Sequence, residues 1–173
     1  TDQVYYNNNC SEDIDLNLDQ KSIYARHKRL SEIYIQTNLS NYLILRTNFF
    51  GYAKHKNNNF ISHLLSQKPL KLFNDFNFKT MYKNDLLYVI NELIKKSYKG
   101  IFNIACDELI SKYDLGIKIL NIMNISKTVI PIKTDSNFYN IRSSINLSTV
   151  KIREVCELPT LNDSIQNLDV NIK

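Results

Sequence analysis

Apolar and polar positions along the chain switch between two periods. Tyr42-Leu43-Ile44-Leu45 is a continuous apolar run of strand length, the pattern of a strand covered on both faces in a parallel sheet; Ile101 to Ala105, apolar but for Asn103, and Val129 to Ile132 predict two further strands. Pro69 to Phe73 predicts one more strand. Between these runs the spacing turns helical. Leu86, Val89, Ile90, Leu93 and Ile94 recur at i, i+3, i+4, i+7, with Asn84-Asp85 as the expected cap, Lys95-Lys96-Lys99 at the carboxyl end and Gly100 as the stop. From Gln20 a helix is predicted with Ile23, His27, Leu30, Ile33 and Tyr34 on its core face and Arg26, Arg29 and Glu32 turned away. Shorter helices are expected at Phe60 to Ser66, at Ser148 to Val155, at Asn162 to Leu168, and from Ser111-x-x-Asp114 through Met123. Thr1 to Tyr5 reads as the end of a strand that enters the polar loop Tyr6 to Asp19. Strands alternate with helices throughout, so the predicted class is α/β with parallel pairing.

With 173 residues, 43% of them apolar, the chain suffices for one domain or part of one. No apolar run approaches the roughly 18 residues of a membrane span, so no membrane partner is expected. Thr1-Asp2-Gln3 has no initiator Met, no basic region and no apolar stretch of signal-peptide type. The expectation is a cytoplasmic protein of which this chain is a piece. Its net charge of +5 comes from 17 Lys and 5 Arg scattered among 23 Asn and 22 Ile, a composition bias rather than the clustered, aromatic-interleaved basic face of a nucleic-acid binder. Cys10, Cys106 and Cys156 are widely spaced, and His27, His55 and His63 lack ligand spacing, so neither a disulfide framework nor a metal site is implied. Phe76, Phe78 and Tyr82 belong to an aromatic stretch expected in the core. With three Gly in all, the chain holds no G-x-G-x-x-G, P-loop or nucleophile elbow.

Tyr24-Ala25-Arg26-His27-Lys28 sets a phenol and an ammonium one turn apart on the same helix face. A cation beside a phenol favours the phenolate, so such a phenol can exchange a proton with an alcohol or ketone. The spacing alone means little: 11 Tyr and 17 Lys give about one such pair by chance, and Tyr52 to Lys56, in loop-like sequence, is a second.

The surroundings of Tyr24 decide between them. Thr1-Asp2-Gln3-Val4-Tyr5 upstream, Leu45-Arg46-Thr47-Asn48-Phe49-Phe50-Gly51, Asn59-Phe60, Asn84-Asp85-Leu86, and Gly100 to Ala105 followed by Glu108 and Ser111 to Leu115 occur in one order. Together they resemble the extended short-chain dehydrogenase/reductase superfamily, of the NAD-dependent epimerase/dehydratase type. The Gly100-to-Leu115 pattern resembles its dTDP-4-dehydrorhamnose reductase-like branch of sugar-nucleotide reductases. Arg142 and Ser143 to Leu147 resemble that branch's Arg-Pro-x-Asn-x-x-Leu-Asp stretch, with Ser143 in place of Pro, one residue fewer before Leu147, and Ser148 where Asp is usual. The stretch around Tyr24 also departs, carrying Arg26 and His27 after it where the family has small neighbours.

The resemblance implies the carboxyl-terminal part of a Rossmann-like parallel sheet with a small α/β substrate-binding lobe, as a single unit. Residues 1–56 would close the dinucleotide-binding fold and carry the catalytic helix, and 57–173 would be mostly substrate lobe. It implies Thr1, Tyr24 and Lys28 as catalytic residues, Tyr24, Lys28 and Asn48 at the cofactor, and Phe49 and Arg142 at the substrate. The cofactor would be NADP or NAD, the substrate a nucleotide-linked 4-keto-sugar reduced in surface-polysaccharide sugar-nucleotide synthesis, and a homodimer is an allowed assembly. Alternatives of the same fold are an epimerase or dehydratase, and a non-catalytic regulatory subunit. The βα units that bear the Gly-rich turn, at roughly 30 residues each, would precede Thr1. Residues 1–173 alone are therefore expected to show no nicotinamide-dependent turnover, checked by following reduced cofactor at 340 nm with the isolated fragment; robust activity would contradict it.

Overall fold

Every apolar run named above forms a strand, and every helical stretch a helix, in the computed structural model, which describes residues 1–6, 10–16, 18, 22–52, 59–66, 69–135, 137 and 144–168. Helix α1 (Ile23–Asn38) opens where the Ser22 hydroxyl accepts from the Ala25 N–H at 3.0 Å. Strands β1 (Leu43–Thr47) and β2 (Phe49–Phe50) follow, then α2 (Phe60–Leu65), capped by the Asn59 side chain. Next come β3 (Leu70–Phe73), β4 (Asn77–Phe78), β5 (Met81–Tyr82) and α3 (Lys83–Lys95). Strands β6 (Gly100–Ile104) and β7 (Ile110–Ser111) lead into α4 (Lys112–Ile122), whose cap is the expected Ser111. The described chain ends with β8 (Val129–Ile132), α5 (Val150–Arg153) and α6 (Leu161–Gln166), the last opened by a Thr160–Asp163 capping box.

Two parallel pairs form the frame. β1 runs beside β6 with Leu43 opposite Gly100 and Arg46 opposite Asn103, and β3 runs beside β8 with Leu70 opposite Val129. β2–β5 is a two-residue parallel pair and β4–β7 a two-residue antiparallel pair; elements so short carry no period that sequence could display. The larger core joins both frames through fully buried Leu70, Phe76, Leu93, Ile104 and Ile119. Phe76, Phe78 and Tyr82 lie in it, as expected. A smaller core gathers Val4, Tyr5, Cys10, Leu16, Ala105, Ile145 and Leu147 around the amino-terminal segment. Among the described residues no helix is long and apolar enough to cross a membrane.

Three local expectations are corrected. Asp2–Val4 is a 3₁₀ turn rather than the end of a strand: the Thr1 hydroxyl accepts from the Gln3 N–H, and the Tyr5 N–H donates to the Asp2 carbonyl at 3.1 Å. Helix α3 starts at Lys83 with no side-chain cap, because Asp85 accepts instead from Ser164 and Asn167 beside α6. The third correction concerns α1. Ala25, Arg29 and Glu32 are its buried residues, while Ile23 and Tyr34 are 64% and 69% exposed; Arg29 and Glu32 thus face the core and Ile23, Leu30 and Tyr34 away from it, contrary to the spacing, whereas Arg26 is exposed as expected.

Gly116 shows how closely α4 sits on β3 and α2. A Cβ there would stand 2.6 Å from Leu72 Cδ1 and 3.2 Å from Leu64 Cδ2, both in the core. Overpacking of this kind costs about 1–3 kcal/mol, so Gly116→Ala is expected to lower the unfolding free energy by that amount, read as a lower urea midpoint with an unchanged slope.

Candidate functional site

The described chain forms a cleft at the carboxyl end of β1, the end of a parallel strand where open α/β sheets bind ligands. Thr1, Asp2 and Gln3 line it from the 3₁₀ turn, Tyr24 and Lys28 from α1, and Thr47, Asn48, Phe49 and Phe50 from the strand end. Phe60, Phe78, Thr80, Lys112 and Leu115 form the rest of its lining, and the open cleft has a volume of about 400 Å³. Five expected site residues, Thr1, Tyr24, Lys28, Asn48 and Phe49, therefore share one cleft. Arg142 lies outside the described residues, as does Lys56 of the second Tyr-x-x-x-Lys spacing.

Lys28 Nζ stands 5.6 Å from the centre of the Tyr24 ring, and Tyr24 is 49% exposed, open to an incoming molecule. The Thr1 hydroxyl lies 3.4 Å from Asp2 Oδ1. Asp2 is buried, and its Oδ2 accepts from Asn48 Nδ2 at 3.1 Å. The Thr80 hydroxyl donates to the Asn48 carbonyl at 3.2 Å. The 3₁₀ turn is thereby fastened to the end of β1, and the end of β1 to the segment before β5. Asp2, Thr80 and Lys112 were not foreseen as lining residues. Asp2 adjoins Thr1, but which way each side chain faces depends on the 3₁₀ turn, and Thr80 and Lys112 reach the cleft only through long-range packing.

Beneath the cleft lies a buried polar network. Arg46 Nε and Nη2 donate to the two oxygens of Glu32 at 3.1 and 2.9 Å, a bidentate pair between side chains 1% and 8% exposed. Arg46 Nη1 donates to the Tyr5 hydroxyl at 2.8 Å, and that hydroxyl lies 2.9 Å from Asn103 Oδ1 and 3.0 Å from the Ser11 carbonyl. Arg29 joins from α1, donating to Glu32 at 3.2 Å and to the Leu16 carbonyl at 2.8 Å. The amide group of Asn103 donates to the Cys10 carbonyl and its backbone N–H to Glu12, both at 2.7 Å. Burial by itself lowers the affinity of Arg46 for its proton, but the bonds to Glu32 and the contact with Tyr5 outweigh it and hold the guanidinium above its ordinary range. Removing one partner of such a pair leaves an uncompensated buried charge, at a cost of about 3–5 kcal/mol.

Burial pushes the Cys10 and Cys106 thiols up to about 11, which suits packing rather than nucleophilic attack. Among the described residues no three His, Cys, Asp or Glu side chains converge to hold a metal ion.

The fold that presents this cleft is shared with sugar-nucleotide reductases and epimerases. The dTDP-4-dehydrorhamnose reductase of Bacillus anthracis str. Ames, solved with NADP, superposes with a TM-score of 0.85 at 19% identity, over 99% of this chain and 63% of that one. A dTDP-4-dehydrorhamnose reductase of Clostridium acetobutylicum gives 0.78 at 21%, over 95% and 61%. UDP-glucuronic acid 4-epimerase from Bacillus cereus, in complex with NAD, gives 0.62 at 18%, over 91% and 53%. No curated protein sequence matches the chain. Residues 13–165 match the RmlD substrate binding domain, and the chain belongs to that family. It spans less than two thirds of the reductases it resembles, 63% and 61% of the two named here. The α/β class and the resemblance drawn from the motifs both hold.

Tyr5 offers a test of the network. Burial, ahead of the opposing Arg46, raises its phenol from 10.0 to about 12, so the folded state keeps a proton that the unfolded state gives up. The stability this contributes is complete below pH 10 and lost as pH rises toward about 12. Tyr5→Phe leaves Arg46 Nη1 without its acceptor and is expected to cost about 1–3 kcal/mol near pH 8. The gap between wild type and variant should then narrow from pH 10 to 12, read from denaturant midpoints across that range.

Proposed function

We propose that this chain is the substrate-side portion of an NAD(P)H-dependent reductase acting on a nucleotide-linked 4-keto-sugar. The observation that carries the reading is the convergence of Thr1, Tyr24 and Lys28 on one cleft, at the carboxyl end of a parallel strand, in a member of the RmlD substrate binding domain family. Relatives of this fold include reductases and epimerases solved with NADP or NAD, and that supports a nicotinamide cofactor.

The described residues suit one half of such a cofactor. The Lys28 ammonium and the Tyr24 and Thr1 hydroxyls form a polar corner for ribose hydroxyls and a carboxamide, with Asn48 beside it. The three glycines of the chain form no phosphate-cradling loop, so the pyrophosphate half would be held elsewhere. When bound, the reduced nicotinamide supplies the hydride. Tyr24 delivers the proton to the carbonyl oxygen as it becomes an alkoxide, and Lys28 stabilises the phenolate left behind. Thr1 donates a hydrogen bond that orients and polarises the same oxygen. Phe49, 59% exposed on the rim, and Phe60 and Phe78 in the lining give apolar surface to the sugar or base, and Arg142 is assigned to the substrate diphosphate.

In this reading residues 1–56 close the dinucleotide-binding part and 57–173 form mostly the sugar-side lobe, with β6 returning to pair with β1. Pairing of two copies would cover the outward apolar residues of α1. Loss of the proton donor is expected to lower kcat roughly 10²- to 10⁴-fold. The test is Tyr24→Phe in the complete polypeptide, assayed with NADPH and a panel of dTDP- and UDP-linked keto-sugars. Wild-type cofactor binding without turnover on any of them would favour a regulatory subunit, and cofactor-conserving interconversion of sugars would favour an epimerase.

A further inference from the structure

We infer that the buried Arg46–Glu32 pair is a positioning device for Tyr24 and Lys28, fixing the rotation of α1 about its own axis. The inference rests on the proposed roles of those two residues and adds what aims them.

Tyr24, Lys28 and Glu32 follow one another at i, i+4 and i+8, so they form one ridge of α1 that drifts slowly around the helix. At its amino-terminal end the ridge faces the cleft through Tyr24 and Lys28; two turns on, it meets the core through Glu32. Glu32 takes both ends of the Arg46 fork, at 3.1 and 2.9 Å. Arg46 in turn is two residues from Asn48, which lines the same cleft, and its third contact is Tyr5, which follows the 3₁₀ turn bearing Thr1. One guanidinium thus ties together the three segments that supply the cleft's polar residues.

The pair also marks which face of α1 the rest of the described chain covers. Ile23, Leu30 and Tyr34 stand outward at 64%, 47% and 69% exposure, while two charged side chains, Arg29 and Glu32, lie buried. Rotation of α1 about its axis would carry Tyr24 and Lys28 out of the cleft. A planar fork on a carboxylate resists such rotation in a way a single hydrogen bond does not.

The test uses the complete polypeptide with Glu32→Gln, Arg46→Lys and the milder Tyr5→Phe, measuring kcat, KM, thermal unfolding and the spectrum of ring-labelled tyrosine. In variants that stay folded at the assay temperature, kcat is expected to fall about tenfold or more with KM within about twofold, against the roughly 100-fold that a 1 Å misplacement can cost. The Tyr24 resonance should shift or broaden in parallel. Variants with lowered melting temperature but wild-type kcat and an unmoved Tyr24 resonance would overturn the inference. If Glu32→Gln and Arg46→Lys fail to fold, Tyr5→Phe decides by the same two readouts. If the wild type itself turns over no keto-sugar, the reductase reading fails, and the Tyr24 resonance alone decides the positioning role: displaced in the variants it stands, unmoved it falls.

Discussion

Two charges placed where water cannot reach them impose the arrangement on which the cleft depends. Once Glu32 is carried inward on α1 and Arg46 on β1, each needs the other, because an unpaired charge in that position would be far costlier than the pair. The demand propagates. Arg46 has a further donor, met by Tyr5; Tyr5 and the Asn103 side chain share a bond; and Asn103 reaches the Cys10 carbonyl, while its backbone meets Glu12. The described residues between Tyr5 and Leu16, which also send Cys10 and Leu16 into the smaller core, are thereby seated on the β1–β6 pair. Buried polar networks of this kind contribute less to net stability than to the choice of one geometry among several.

The apolar core and the polar network divide the work. The larger core fixes the second wall of the cleft by packing β3, β4, α2 and α4 together, with Gly116 allowing the close approach of α4 to Leu72. The network fixes the first wall, where Thr1, Tyr24 and Lys28 are presented. The cleft lies between a hydrophobic body and a hydrogen-bonded scaffold.

Within this arrangement the sequence by itself determined the four longer strands, the helices and five of the residues that line the cleft. The apolar run Leu43 to Leu45 and the largely apolar Ile101 to Ile104 have strand length, and Ser111 could be read as a cap because capping is a local bond between neighbours. Thr1, Tyr24, Lys28, Asn48 and Phe49 were legible because motif order along the chain survives folding, and all five meet in one cleft. What only the tertiary structure decided was orientation. Periodicity assigns the apolar face of α1 to the core, but the partner that reverses it, Arg46, is 14 residues away from Glu32 and on another element. The same holds for Asp85, diverted from capping by Ser164 across 79 residues, and for Lys112, placed in the cleft by the packing of α4. Local pattern encodes what a residue prefers; charge pairing and close packing between distant segments decide which preferences are overruled.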